Sequence, residues 1–221
     1  MVPHAVADTI GTLPSPCVPG PLSSYIALGP SGCSLDHVVF YDFAFSVLAV
    51  GGGALPVASS AVAVNPAKIG EDYLLTFSSA GFSVSGSEFV RYLLAYTVDP
   101  HPILTFESSM EVDSPVFPGI ASITTNLCLN APFAGAVCPT TTASVTVFDN
   151  GITSQPVQSV SFPPINILGV RNEILLQANG ASADFSSLTN KVGFVPEPAG
   201  WLLAGPALVA ALVLCRGRTR R

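Results

Sequence analysis

The most restrictive feature of this chain is its punctuation. Runs of alternating small, β-branched and aromatic residues, each about the length of one strand, are cut at 8–14-residue intervals by Gly, Pro, Asn or Ser. Examples are "DYLLTFSS", "ILTFESSMEVD", "GIASITTNLCLN", "ASVTVFDNG", "VQSVSF" and "INILGVRNEILLQANG". Successive side chains on a strand point to opposite faces, so period-2 runs of this length predict half-buried strands. The 19 glycines and 20 prolines supply turns. Before Pro196 no sustained 3.6-residue pattern with helix caps occurs. The spacing excludes βαβ units and predicts antiparallel sheets folded as a β-sandwich or jelly-roll-like domain over residues 8–194. "SYIALG" reads as a short strand, "VASSAVAVNP" as another, and Leu35–Val50 as one bent strand or two. "EFVRYLLAYTVD" alternates less cleanly, and its aromatic and β-branched content favours strand over helix.

Charge is scarce and unevenly placed. Charged residues make up 10% of the chain, against roughly 25% in ordinary soluble proteins. Thirteen of the fourteen acids lie before Val195, where only Lys68, Arg91, Arg171 and Lys191 are basic. The body therefore carries about nine negative charges. Without a basic stripe to displace counterions from phosphates, it is not expected to bind nucleic acid.

Four cysteines belong to the body: Cys17, Cys33, Cys128 and Cys138. An even number in a loop-rich β chain predicts disulfides and an oxidising compartment. Three connectivities exist. Cys17–Cys33 and Cys128–Cys138 are favoured, because each closes a short loop around Pro/Gly-rich turns. Neither spacing suits zinc, whose ligands usually stand two to four residues apart, so no metal is expected.

Chemistry-bearing motifs are sparse, and the body is expected to be non-enzymatic, without a cofactor. His37 follows Asp36, and His101 sits in the turn "DPHP"; His4 lies near the N-terminus. None has a nucleophile motif beside it. Glu107, Glu111 and Asp113 fall at odd positions of one expected strand, so they share a face; a solvated face explains them more simply than paired catalytic carboxylates. Glu71 and Asp72 stand at a strand start.

The C-terminus departs from this pattern. Residues 199–215 are uncharged and apolar, about 25 Å as a helix against a hydrocarbon core of about 30 Å. Arg216, Arg218, Arg220 and Arg221 follow at once, and Trp201 stands near the start. This order predicts a single transmembrane helix with the arginines on the cytoplasmic side and the body outside. At the other end, Ala5 and Ala7 before Asp8 form an A-x-A signal-peptidase pattern. Residues 1–7 are accordingly expected to be the remnant of a signal peptide whose start lies upstream.

The tripartite segment 195–221 resembles the PEP-CTERM sorting segment of exported proteins of Gram-negative bacteria. Val195, Pro196, Glu197 and Pro198 match its motif, 199–215 its helix and the four arginines its basic end. The resemblance implies recognition by exosortase, a membrane cysteine protease. Cleavage near the motif and delivery to the cell surface, alongside exopolysaccharide, would follow. "SSYIALGPSGCSLDHVVFYDFAFS" and "VRNEILLQANGASADFSSLTNKVGF" are similar, more loosely, to the domains found upstream of that segment.

The leading expectation is an exported structural or adhesive matrix protein. A secreted carbohydrate-binding or carbohydrate-active sandwich is the alternative, to be recognised by Tyr or Trp beside Asp, Glu or Asn on a concave face; the body has no Trp, which leans against it. A permanently anchored surface protein shares the same topology.

Overall fold

The computed structural model describes residues 14–99, 102–112 and 115–194. Segment 195–221, Ala5, Ala7, His4, His101 and Asp113 lie outside the described residues. Among the described residues no helix is long and apolar enough to cross a membrane.

The described residues form an all-β fold whose sheets are mostly antiparallel. In order the strands are β1 (Gly20–Pro21), β2 (Cys33–Leu35), β3 (Val38–Gly51), β4 (Ala63–Ile69), β5 (Asp72–Ser78), β6 (Ser83–Gly86), β7 (Phe89–Asp99) and β8 (Ile103–Glu111). They continue as β9 (Ile120–Leu129), β10 (Thr141–Asp149), β11 (Ser154–Gln155), β12 (Val157–Ile165), β13 (Leu168–Gln177), β14 (Ala181–Asp184) and β15 (Ser187–Phe194). One sheet runs β1-β4-β5-β15-β8-β12, the second runs β11-β10-β9-β13-β7-β3-β2, and β14-β6 forms a small third.

The two large sheets form a β-sandwich through faces set by the period-2 pattern. On β7 the buried Val90, Tyr92, Leu94 and Tyr96 alternate with Arg91, Leu93 and Ala95. Tyr73, Leu75 and Phe77 of β5 and Phe106 of β8 face them from the other sheet; the rings of Phe77 and Tyr96 lie 6.0 Å apart. Truncating a fully buried ring such as Phe106 to alanine would cost about 3–5 kcal/mol. A polar network interrupts this core. Thr125 donates to Asn172 Oδ1 (2.7 Å), Asn190 Nδ2 donates to the same oxygen (3.2 Å), and Asn172 Nδ2 donates to the Leu94 carbonyl (3.5 Å). Asn190 comes from one sheet and Asn172 from the other, so the network fixes their register across the core.

Both favoured disulfides are formed, Cys17–Cys33 with Cα atoms 4.9 Å apart and Cys128–Cys138 at 5.4 Å. The Leu35–Val50 run is one bent strand, β3, with register shifts between Tyr41 and Ala44 and between Val47 and Ala49. A two-residue turn at Asp36–His37 joins it to β2.

Two expected strands differ. "SYIALG" contributes to a helix, α1 (Leu22–Ala27), instead of a strand. Leu22 and Tyr25 stand three apart, so one helix face buries both. Tyr25 then packs edge-on against Phe43 at 5.1 Å and donates to the Val18 carbonyl at 2.7 Å. That burial pushes the Tyr25 pKa up to about 12. "VASSAVAVNP" begins as a 3₁₀ turn at Ser59–Ala61 before β4 starts.

Candidate binding groove

The outer face of the seven-stranded sheet is laid out by its register. One row across it reads Ser144, Asn126, Arg171, Ala95 and Ala44. The next reads Thr146, Thr124, Glu173, Leu93 and Ser46. A third reads Phe148, Ser122, Leu175, Arg91 and Ala49, and a fourth ends in Gln177, Phe89 and Gly51.

Glu173 is the hinge of this surface. Its Oε1 lies 3.4 Å from an Arg171 terminal nitrogen, and Arg91 donates to its Oε2 at 3.4 Å. Arg91 and Arg171 are the only arginines before Val195, and both converge on this one carboxylate. The Arg171 side chain is 15% exposed. Its Nε is buried without a hydrogen-bond partner.

One loop and one strand-borne ring turn the face into a groove. At one end, Cys128–Cys138 closes the loop that carries Phe133, and Phe133, Ala136 and Cys138 overhang Asn126 and Arg171 around a space of about 360 Å³. Gly169 permits that approach, because a Cβ there would stand 3.0 Å from the Phe133 nitrogen and the Ala131 carbonyl. At the other end, the Phe89 ring lies over Gly51, where a Cβ would meet it at 2.1 Å. Phe89, Arg91, Ser122, Thr124 and Gln177 enclose a further space of about 500 Å³. The two spaces share Glu173. The result is a floor that mixes hydroxyls, amides and guanidiniums with apolar Leu175, with a phenyl ring at each end.

The carboxylates singled out in the sequence lie on the other sheet. Glu107 and Glu111 share the outer face of β8, but residues four apart on a strand are separated by roughly 13 Å, too far for paired glycoside chemistry at ~5–10 Å. Glu107 is held by Lys191 at 3.2 Å, and Asp72 stands 3.9 Å from the same ammonium. Glu71 occupies the exposed turn between β4 and β5. Asp36 and His37 sit at the seam between the sheets: Asp36 Oδ2 accepts from Lys68 Nζ (2.7 Å) and Tyr73 OH (3.2 Å), and contacts His37 Nδ1 (3.1 Å). The Lys68 ammonium holds the Asp36 carboxyl below its ordinary pKa. Among the described residues no group of three or more His, Cys, Asp or Glu could hold a metal.

Sequence reasoning passed over Arg91, Arg171 and Glu173. One signal was available. In "LGVRNEILLQ", Arg171, Glu173, Leu175 and Gln177 are alternate residues of one strand and had to share a face. The convergence of Arg91 on Glu173, 82 residues away, depends on the β7–β13 register.

No known family model matches the chain, and no curated protein does. Among solved structures, TmCBM61 in complex with β-1,4-galactotriose is similar over 67% of this chain and 86% of that chain, with 11% identity and a TM-score of 0.31. A likeness at that score carries nothing about the ligand of this chain.

Proposed function

We propose that this protein is an exported, non-enzymatic β-sandwich of jelly-roll type that binds an extracellular glycan along the outer face of its seven-stranded sheet. The observation that carries the reading is the groove: Arg91, Arg171 and Glu173 set among Ser122, Thr124, Asn126 and Gln177, between Phe89 and Phe133. Sugars offer hydroxyls to polar donors and acceptors, and apolar C–H faces to aromatic rings. A groove with both, open along its length, suits a chain better than a buried small molecule. The surface sets Phe beside Glu and Asn, where the sequence expectation asked for Tyr or Trp.

Delivery rests on the sequence resemblance. Val195–Pro198 would serve as the sorting motif, 199–215 as a single transmembrane helix and Arg216–Arg221 as its cytoplasmic end, with an exosortase-type protease cutting near the motif. The two disulfides support an oxidising destination. The described fold ends at Phe194, one residue before the motif, with its ring edge-on to Tyr73 at 5.0 Å.

Affinity electrophoresis of the full chain in detergent, through gels containing neutral or acidic polysaccharides, tests the binding. Retardation by at least one polysaccharide, weakened by Arg171→Gln, is expected. Equal mobility in every gel, or equal retardation of the variant, would sink the groove as a glycan site. Intact mass of protein recovered from the cell surface tests the sorting. A new C-terminus near Pro196–Pro198 is expected, whereas a chain ending at Arg221 would make the tail a permanent anchor.

A further inference from the structure

We infer that the glycan taken by this groove is an acidic one, whose carboxylate groups are received by Arg91 and Arg171. The inference rests on the glycan-binding reading and specifies its ligand class.

Charge geography comes first. The body carries about nine negative charges, yet the residues lining the groove include two arginines and a single acid, Glu173. The local sign is therefore positive where the surrounding sign is negative. Of the other acids on or beside this sheet, Asp149 accepts from the Gly151 backbone at 2.7 Å and Glu88 from the Ser85 backbone at 2.8 Å, while Asp42 of β3 and Asp99 of β7 do not line the groove. A low-dielectric wall lined with one sign of charge concentrates counter-ions of the other.

Donor chemistry comes second. Each guanidinium carries five N–H donors in a planar fork matched to carboxylates. Here each approaches Glu173 through one terminal nitrogen at 3.4 Å. Charge-assisted hydrogen bonds are shorter, about 2.7–2.9 Å. The Arg171 Nε is buried without a partner. Glu173 thus orients both forks without saturating either, and acts as a positioning residue. A ligand carboxylate entering between them would meet donors already aimed at it.

Length comes third. From Arg171 to Gln177 the floor extends roughly 20 Å at about 3.4 Å per residue, with Phe133 over one end and Phe89 over the other. That geometry fits an extended polymer. Two cations on an acidic body are too few for a phosphate backbone.

The test compares four probes against the full chain in detergent: polygalacturonate, the same polymer fully methyl-esterified, a neutral β-galactan, and polyglutamate. Polygalacturonate should bind at least about tenfold more tightly than its ester and weaken as salt rises. Arg171→Gln and Arg91→Gln should each remove the preference, Arg171→Lys should restore it only in part because the fork is lost, and Glu173→Gln should strengthen it by removing the competing carboxylate. Equal affinity for the acid and its ester overturns the inference while leaving glycan binding in place. Binding to none of the polysaccharides overturns both. Polyglutamate binding as well as or better than polygalacturonate assigns the arginines to a protein ligand and overturns the acidic-glycan reading.

Discussion

The outer faces of the two large sheets use one electrostatic device with opposite signs. On the seven-stranded sheet a single acid, Glu173, stands between two cations, Arg91 and Arg171. On the six-stranded sheet a single cation, Lys191, stands between two acids, Asp72 and Glu107. Thr–Thr contacts decorate both, Thr124 with Thr146 on the first and Thr76 with Thr189 on the second. The faces differ in what overhangs them. The six-stranded face is ladder and short turns, and Ser187 engages Glu111 directly. The seven-stranded face is walled by a disulfide-closed loop and by a phenyl ring laid over glycine. Surface ion pairs contribute little stability, so charge alone does not make a site. Relief and unsaturated donors do.

The largest effect should come from reversing charge on each face. Arg171→Glu is expected to weaken acidic-glycan binding by more than about 100-fold, since truncating one partner of a half-buried charged contact costs about 2–5 kcal/mol. Lys191→Glu, of the same charge change, should leave binding within about twofold, because Lys191 lies on the other sheet and lines neither groove space. Titration calorimetry of both variants checks this. Equal losses would mean that overall charge, not the groove, governs binding.

The two disulfides sharpen the contrast next. Closing loops of 10 and 16 residues stabilises by about 3 kcal/mol each in the chain-entropy account. Replacing either pair by serine should therefore lower denaturant stability by a similar amount. Only loss of Cys128–Cys138 should also weaken glycan binding, because only that loop carries Phe133 over Arg171. If Cys17→Ser with Cys33→Ser weakens binding as much, the loop is not what shapes the site.

This split also explains what the sequence could say. Strand positions, the sandwich class and both disulfide pairs follow from local pattern: Val90, Tyr92, Leu94 and Tyr96 alternate inward as β7 requires. Helix α1 was hidden because six residues containing Tyr and Ile carry a strand-like composition, while the Leu22–Tyr25 spacing that decides the matter is short. The groove was hidden for another reason. Arg91 and Glu173 meet through a cross-strand register, and Phe133 and Phe89 become walls only where Gly169 and Gly51 leave room. Such coincidences are tertiary, and no window of the sequence contains them. Glu107 and Glu111 drew attention for the opposite reason: a visible alternation on one strand, on a face that lines neither groove space.

Gly51→Ala should produce a smaller, selective change. A Cβ there would stand 2.1 Å from the Phe89 ring, so the ring must leave its place against the backbone. Gly51 is not in the left-handed region, and the change should cost stability modestly. Glycan binding should fall by about threefold to tenfold, the loss of one stacking wall, on the scale of 0.5–1.5 kcal/mol for an aromatic contact. The ester and the free acid should lose equally, whereas Arg171→Gln removes only the preference between them. An unequal loss in Gly51→Ala would show that Phe89, too, sets charge selectivity.

The smallest effect concerns the seam, where Asp36 from the β2–β3 turn meets Lys68 from β4. Lys68 lowers the Asp36 pKa, so any stabilisation from the pair is present above the ordinary carboxylate pKa of about 3.9 and is lost as pH falls through the lowered folded value. The carboxyl is exposed, and solvent screens the pair. Lys68→Met should therefore move the Asp36 midpoint upward in an NMR titration with almost no change in unfolding midpoint at neutral pH. Acidic-glycan affinity should stay within about twofold, because Asp36 and Lys68 are absent from the groove lining and the charge removed lies on the other sheet's edge. A larger drop in affinity would tie the seam to the groove and end the separation of the two faces, since the seam is where the sheets share an ion pair.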